Sequence, residues 1–333
     1  MKVRIQKKES EKQAGHGSHS PYDQKRLHKF HARLQKNRAG KRNRVQSRMR
    51  SATKMKVPDV SFKDRTGYCY LDPNGNVPAC PHGPCILLGR KSRSGKVIDR
   101  KFVCAVFRKG ECDFSCPVAE DGSLTVPEAS VSTVDSGGLK KSAPFRKIYK
   151  SIKRLSAADE NLFYCKTCND AVSSTHTHSV VGPLKKTQFR KPSVLFSLDD
   201  SKSSKAQFWF SEDCLRVLDD IISDNDFDGV LCIGTPTVFE FIQCDPERRA
   251  RLKSFLLDLD GRFGAFYRST QFAQYSMLVD HFYNALSLKK VNQYFKSVQK
   301  LVIICDPPFG ILTEPLLRAL EKLQDRYRLT DAS

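Results

Sequence analysis

Five apolar residues, Leu301-Val302-Ile303-Ile304-Cys305, run straight into Asp306-Pro307-Pro308-Phe309. An apolar run without alternation suits a strand buried on both faces of a parallel sheet. Neither proline can donate to a ladder, so pairing stops there. The pattern predicts a central strand of an α/β sheet, with residues 306–309 just past its carboxyl end, where open α/β sheets place their ligands. Pro307 biases Asp306 toward extended backbone, and the paired prolines stiffen the loop. Asp306 and the Pro307 carbonyl can then accept hydrogen bonds from an amino group, while Phe309 offers a face to a planar base. The competing reading is a strand followed by a Pro-rich turn without chemistry. Four residues alone do not separate the two.

The preceding hundred residues favour the ligand-binding reading. Gly229-Val230-Leu231-Cys232-Ile233-Gly234-Thr235-Pro236 is an apolar strand ending in a glycine turn, where a cofactor can approach the backbone. It lacks a full dinucleotide fingerprint, so alone it is a weak signal. Ser254-Phe255-Leu256-Leu257-Asp258-Leu259-Asp260 is a second buried strand ending in carboxylates. An acid about twenty residues after the glycine turn is placed to bind ribose hydroxyls. Val238 to Ile242 start the helix between them. Before this unit, Gln207-Phe208-Trp209-Phe210-Ser211 leads into a helical pattern of Cys214, Leu215, Val217, Leu218, Ile221 and Ile222. Residues 266–283 are rich in aromatics and read mainly as core packing.

The remainder is basic and rich in cysteine. The 333 residues carry a net charge of +21, which calls for an anionic partner. Residues 1–60 hold eighteen Lys and Arg against Glu9, Glu11, Asp23 and Asp59. So charged a segment does not bury a core and reads as a disordered RNA-binding or nucleolar-targeting arm, the competing reading being a solubilising tail. No apolar run reaches 18 residues and the amino terminus is charged, so neither a transmembrane helix nor a secretory signal is expected. Twelve cysteines in such a chain point to metal sites rather than disulfides.

Two constellations have zinc-ligand character. Cys80 and His82 stand two apart, followed at intervals of 22 and 8 positions by Cys104 and Cys112. Four N/S donors in pairs suit tetrahedral zinc, with a small hairpin between the pairs and residues 89–95 as its turn. Cys69, Cys85 and Cys116 remain alternative ligands. Cys165-x-x-Cys168 followed by His176 and His178 has Cys2His2 composition, but its short spacings predict a compact structural site without a DNA-reading helix. Buried cysteines without metal are the competing reading in both places. Residues 119–160 read as a linker rich in Pro, Ser and Gly, then basic, with a short helix through Phe145 to Leu155.

Several of these motifs resemble known families. Asp306-Pro307-Pro308-Phe309 resembles the Asp/Asn-Pro-Pro-Phe/Tyr motif of S-adenosylmethionine-dependent amino methyltransferases, which act mainly on adenine N6. Cys80-Pro81-His82-Gly83, Phe102-Val103-Cys104 and Cys112-Asp113-Phe114 resemble the GRF-type zinc finger, although Ser115-Cys116-Pro117 stands where that family has a second aromatic and a Trp. The ordered set, together with Phe163-Tyr164-Cys165-x-x-Cys168, resembles the CCHC zinc-finger-containing rRNA N6-adenosine methyltransferases. That resemblance runs from about residue 78 to 320.

The resemblance implies a Rossmann-like S-adenosylmethionine-dependent methyltransferase core of α/β class, preceded by small zinc modules. The expected organisation is a disordered basic arm at 1–62, a GRF-type finger at 63–118, a linker at 119–160, a Cys2His2 site at 161–185 and the amino-terminal part of the methyltransferase domain at 186–333. It implies Asp306, Pro307, Pro308 and Phe309 as catalytic residues. Gln207, Phe208, Trp209, Phe210, Gly234, Asp258, Ser276 and Asp306 are implied around S-adenosylmethionine. Two Zn2+ ions are implied at Cys80, His82, Cys104 and Cys112 and at Cys165, Cys168, His176 and His178. The implied substrate is large-subunit ribosomal RNA, with ribosome-assembly factors as further partners, no membrane, and nucleolus, nucleus and cytoplasm as locations. The chain ends one helix after the tetrapeptide, where a methyltransferase sheet needs three more strands and the family carries a Cys/His-rich module. The sequence is therefore expected to be truncated and catalytically incomplete, with the last strand left as an exposed edge. Two rival readings are a protein-lysine methyltransferase acting on a translation elongation factor and a non-catalytic zinc protein of ribosome assembly.

Overall fold

The computed structural model describes residues 67–73, 76–106, 112–120, 124, 144–158, 161–185, 188–196, 209–308 and 311–331. All of them fall in one compact unit, Asp64–Ser333. The expected basic arm, Gln207, Phe208 and Phe309 lie outside the described residues.

The amino-terminal sheet is antiparallel. It comprises β1 (Tyr68–Tyr70), β2 (Ala79–Cys80), β3 (Gly83–Lys91), β4 (Val97–Cys104) and β5 (Ser115–Pro117), in the order β1-β3-β4-β5 with β2 on β3. Its core holds Cys80, Cys85, Leu87, Phe102, Cys104 and Cys116. The expected hairpin between ligand pairs is β3–β4. Its turn is shorter than predicted: Ser92 N–H donates to the Lys96 carbonyl, and Gly95 has φ +80°. Gly89 lies inside β3 at a register shift, where a Cβ would come within 2.5 Å of Val97 and 2.8 Å of Leu71. That glycine serves packing, not turning.

Helix α1 (Pro144–Ala157) follows, then a three-stranded sheet of β6 (Phe163–Cys165), β7 (Asp170–Val172) and β8 (Val180–Val181), ordered β7-β6-β8. The helix expected from Phe145 to Leu155 is present. It is packed rather than free, because Ile148 is buried in the main core and Leu155 joins Leu162 and Ala171.

The main sheet comprises β9 (Gly229–Ile233), β10 (Lys253–Asp258), β11 (Phe272–Ser276), β12 (His281–Phe282) and β13 (Leu301–Cys305), ordered β12-β11-β10-β9-β13. β9, β10, β11 and β13 are parallel; β12 runs antiparallel to β11. On one face Val230, Cys232, Leu256 and Phe272 pack with Leu215 and Ile222 of α2 (Glu212–Asp224) and Val238, Phe239 and Ile242 of α3 (Pro236–Cys244). A short α4 (Pro246–Arg251) leads into β10. On the other face Leu231, Ile233, Phe255, Leu257 and Tyr275 pack with Val291, Tyr294 and Phe295 of α5 (Ala285–Lys296) and Leu323 of α6 (Thr313–Asp331). This is a three-layer, Rossmann-like arrangement. No helix among the described residues is long and apolar enough to cross a membrane.

Two expectations need correction. The strand buried on every residue is β9, whereas β13, read from its apolar run as a fully buried central strand, is half-buried throughout; paired only to β9, it lies at the edge of the described sheet, the position expected for the last strand. Its continuous apolar run comes from covering by helices on both faces, which an edge strand also receives. Val217, assigned to the apolar face of α2, is 56% exposed, because the helix buries only Leu215 and Ile222 fully.

One carboxylate sits inside the core. Glu240 of α3 is buried, accepting from Ser193 N–H at 2.9 Å, from the Ser193 hydroxyl and from Tyr267 OH at 3.0 Å. Burial raises its pKa above the usual carboxylate value, and those three donors partly oppose the shift. It pins the short turn Pro192–Val194 and the Tyr267 ring onto the domain. Glu240→Ala would strand all three donors in the core. We expect it to lower stability by about 1–3 kcal/mol, read as a shifted chemical-denaturation midpoint.

Candidate active site and metal clusters

The chain lays down β9, β10 and β11 in one direction and returns to place β13 on the other side of β9. The crevice at the carboxyl ends of β9 and β13 is therefore a topological switch point, the place where open α/β sheets bind ligands. Gly234 and Asp306 meet there. Asp306 N–H donates to the Ile233 carbonyl at 3.0 Å, Gly234 N–H to the Leu257 carbonyl at 2.9 Å, and the Thr235 hydroxyl to the Ile304 carbonyl at 3.3 Å. Three strand ends are thus laced together. Gly234 has φ +65°, and a Cβ there would lie 2.8 Å from the Asp306 carbonyl oxygen and 3.1 Å from Met277 Cε. Only glycine lets these backbones approach so closely.

The other expected residues flank this point. Asp258 ends β10 at 1% exposure, its Oδ1 accepting from Asp260 N–H at 2.8 Å. Ser276 ends β11, one strand farther out, and is buried. Phe210 packs against the core, and its N–H donates to the Thr237 hydroxyl at 3.4 Å, so residues 209–210 run beside the start of α3. Asp306 and Pro307 are half-buried and Pro308 is exposed. Burial raises the Asp306 carboxyl above the usual 3.8. Met277, read from sequence as core, packs against the core and also closes against Gly234, a place nothing in its spacing signals.

Both Cys/His constellations assemble. In each, the four donor atoms lie within 4.8 Å of one another. In the first, Cys80 comes from β2, His82 from the turn after it, Cys104 from the end of β4 and Cys112 from just before β5. His82 Nδ1 is 3.9 Å from Cys80 Sγ and 3.8 Å from Cys104 Sγ. In the second, Cys165 ends β6 and Cys168 lies in the following turn, its N–H donating to Cys165 Sγ at 3.3 Å. His176 and His178 reach in from the segment between β7 and β8, which contains no helix, as the short spacings require. Cys168 Sγ is 3.4 Å from His176 Nε2 and 3.2 Å from His178 Nδ1, and the two ring nitrogens are 3.3 Å apart. Tetrahedral zinc, with bonds of about 2.3 Å to sulfur and about 2.0–2.1 Å to nitrogen, sets its donors roughly 3.3–3.8 Å apart. Both donor sets fit that ion. Cys69, Cys85 and Cys116 stand outside the first set. Cys85 faces Cys104 across the β3–β4 ladder, where burial raises its thiol pKa; burial does the same for Cys116.

Comparisons with known proteins point the same way. Residues 201–331 match a family model described as probable N6-adenine methyltransferase. The chain is 29% identical over 267 residues to the rRNA N(6)-adenosine-methyltransferase ZCCHC4 of Homo sapiens, covering 76% of this chain and 51% of the relative. The protein of that name from Xenopus tropicalis is 28% identical over 271 residues, covering 77% and 54%. This chain is a homologue of these rRNA N(6)-adenosine-methyltransferases. It spans about half the length of the curated relatives it matches.

In this homologue each Cys/His module is fastened to a loop of the main α/β domain. Tyr283, just after β12, donates its hydroxyl to the His82 carbonyl at 2.7 Å. A Cβ on Gly83, which has φ +118°, would sit 3.2 Å from that hydroxyl. The glycine of Cys-x-His-Gly therefore serves a docking contact as well as a turn. Arg318 of α6 adds an ion pair to Asp72 and lies over the Tyr70 ring. On the second module, Arg262 donates to Asn169, the residue after Cys168. Sequence reading missed Tyr283 and Arg262 because their partners lie 201 and 93 positions away. Metal analysis of the purified chain should return two zinc equivalents, falling to one in Cys104→Ser and in His178→Ala; retention of both would rule out these ligand sets.

Proposed function

We propose that this chain carries an S-adenosylmethionine-dependent N6-adenosine methyltransferase acting on large-subunit ribosomal RNA, with zinc at both Cys/His clusters. The observation that carries the reading is Asp306-Pro307-Pro308 at the switch point, against Gly234 and beside Asp258. In this reading Asp258 binds the cofactor's ribose hydroxyls, and Gly234 leaves room for it at the backbone. Bound S-adenosylmethionine would supply an electrophilic methyl group on its sulfonium. The exocyclic N6 of adenine is a poor nucleophile because its lone pair is delocalised into the ring. Asp306 and the Pro307 carbonyl would accept its two hydrogens and turn the lone pair toward the methyl. The chain's contribution is thus mainly alignment. The proton released on transfer can leave through the Asp306 carboxylate. An adenine in a duplex cannot reach these groups, so the target is unpaired or flipped out, with Phe309 stacking on it.

RNA contacts would come from the basic arm and the two zinc modules, with a steep salt dependence. Ribosomal RNA as substrate rests on the relatives' names, and ribosome-assembly partners and a nucleolar location belong to the same proposal. Those names favour RNA adenine over a protein lysine.

Incubation of the chain with labelled cofactor, ribosomal RNA and elongation factor tests the reading. Label in N6-methyladenosine supports it; label in protein supports a lysine methyltransferase; cofactor binding without any transfer supports a scaffold. Asp306→Ala should cost about 100-fold or more in transfer, the scale of a misaligned reacting group. Because burial raises the Asp306 pKa, the carboxylate is lost as pH falls through a value above 3.8. kcat/KM should therefore rise with pH through that value, and Asp306→Asn should remove this acid limb.

A further inference from the structure

Arg262 is a side chain that neither the catalytic reading nor the metal sites use. It lies in the 3-10 turn Gly261–Ala265, four residues past Asp258. Its guanidinium holds both oxygens of Asp260, with Nε at 2.9 Å from Oδ1 and 2.8 Å from Oδ2 and Nη2 at 2.6 Å from Oδ2. Its remaining arm, Nη1, donates to Asn169 Oδ1 at 2.5 Å. The plane stacks on Phe196, 4.2 Å from the ring centroid. The Asp260 N–H in turn donates to Asp258 Oδ1 at 2.8 Å, and Asp260 Oδ1 caps the turn by accepting from Arg262 N–H at 2.9 Å. A continuous set of bonds therefore runs from Asn169 through Arg262 and Asp260 to Asp258.

Each end of that path sits on a definite backbone. Asn169 immediately follows Cys168 and has φ +49°, a conformation that the Cys165–Cys168 turn imposes. The flank is braced as well: Asp170 pairs with Lys147 of α1 at 3.3 Å, and Phe145 of α1 lies where a Cβ on Gly264 would come within 3.0 Å. A turn carrying two of four metal ligands is ordered by the metal, since binding free energy in so small a module is folding free energy. Without metal, the turn loses the tie that presents Asn169 to Arg262. Lysine could not replace Arg262, because only a planar fork can chelate one carboxylate and still reach a second acceptor.

We propose that Arg262 is a positioning residue that transmits metal occupancy of Cys165, Cys168, His176 and His178 to the acidic turn at Asp258, so that cofactor affinity depends on the second zinc. This rests on the reading of Asp258 as a cofactor residue. Coupling between two binding sites is reciprocal, so cofactor must also slow loss of zinc from this cluster.

The test is calorimetric titration of the full zinc-loaded chain with S-adenosylhomocysteine. Variants are Asn169→Gly, which keeps the left-handed backbone and removes only the amide, Arg262→Lys, His178→Ala, and the double variant Asn169→Gly/His178→Ala. Each single variant is expected to weaken binding about fivefold or more, the lower end of typical coupling. The double variant should bind no more weakly than His178→Ala, because both changes cut one path. Release of the second zinc equivalent to a colorimetric chelator should slow on adding S-adenosylhomocysteine in the wild type, and not in Asn169→Gly. A merely structural Arg262 would produce neither the non-additivity nor the protection. Tight binding unaffected by Asn169→Gly, or additive losses, overturns this proposal alone. No binding by the wild-type chain overturns the cofactor reading and this proposal with it.

Discussion

The approach of two backbones at the end of the main sheet underlies the rest of the structure. Gly234 follows β9 with a left-handed turn, and the Asp306 carbonyl lies 2.8 Å from where a Cβ at 234 would stand. The hydrogen bond from Asp306 to Ile233 fixes the register of the two strands up to their last residue. Because the chain reverses its direction of travel across the sheet between these strands, their ends splay into a crevice rather than being closed by a connection. Asp258 reaches that crevice from the next strand. The placement of Asp306 and Pro307 beside a bare backbone follows from that one contact.

The modules ahead of the core solve a different problem. Neither three short strands nor a five-stranded antiparallel sheet of this size buries much apolar surface, and units so small usually need metals or disulfides. Here the Cys/His sets stand beside small apolar clusters, with donor spacings that zinc would fit. The modules are also not autonomous appendages. Tyr283, just past β12, meets the backbone of His82, and Arg262, past the carboxyl end of β10, meets the residue after Cys168, so each cluster is fastened to the main domain. Fold stability and site geometry are therefore linked in the same contacts.

Much of this was legible along the chain. Apolar runs at 230–233, 255–257 and 301–305 announced parallel strands because helices on both faces select apolar side chains at successive positions. The two Cys/His sets that gather in space were legible for a similar reason: donor type and spacing are local properties of a turn or hairpin. Reading failed where two causes yield one pattern. Gly89 looked like a turn residue but makes room for Val97 and Leu71 inside a strand. Val217 fitted the helical period yet faces solvent, since periodicity does not say how wide the buried stripe is. The apolar run ending at Cys305 read as buried on both faces, yet β13 is half-buried throughout.

The sequence by itself determined the kinds of elements, the two Cys/His constellations and the order of the strand-end motifs, because each is carried by short local motifs. The fold alone settled which strands became neighbours, that Met277 closes against Gly234, and that Arg262 and Tyr283 join the metal modules to the core. Those features depend on side chains brought together by the topology of the sheet across 93 and 201 positions. No local pattern encodes such a pairing, since its energy exists only after both partners have been delivered to the same end of the sheet.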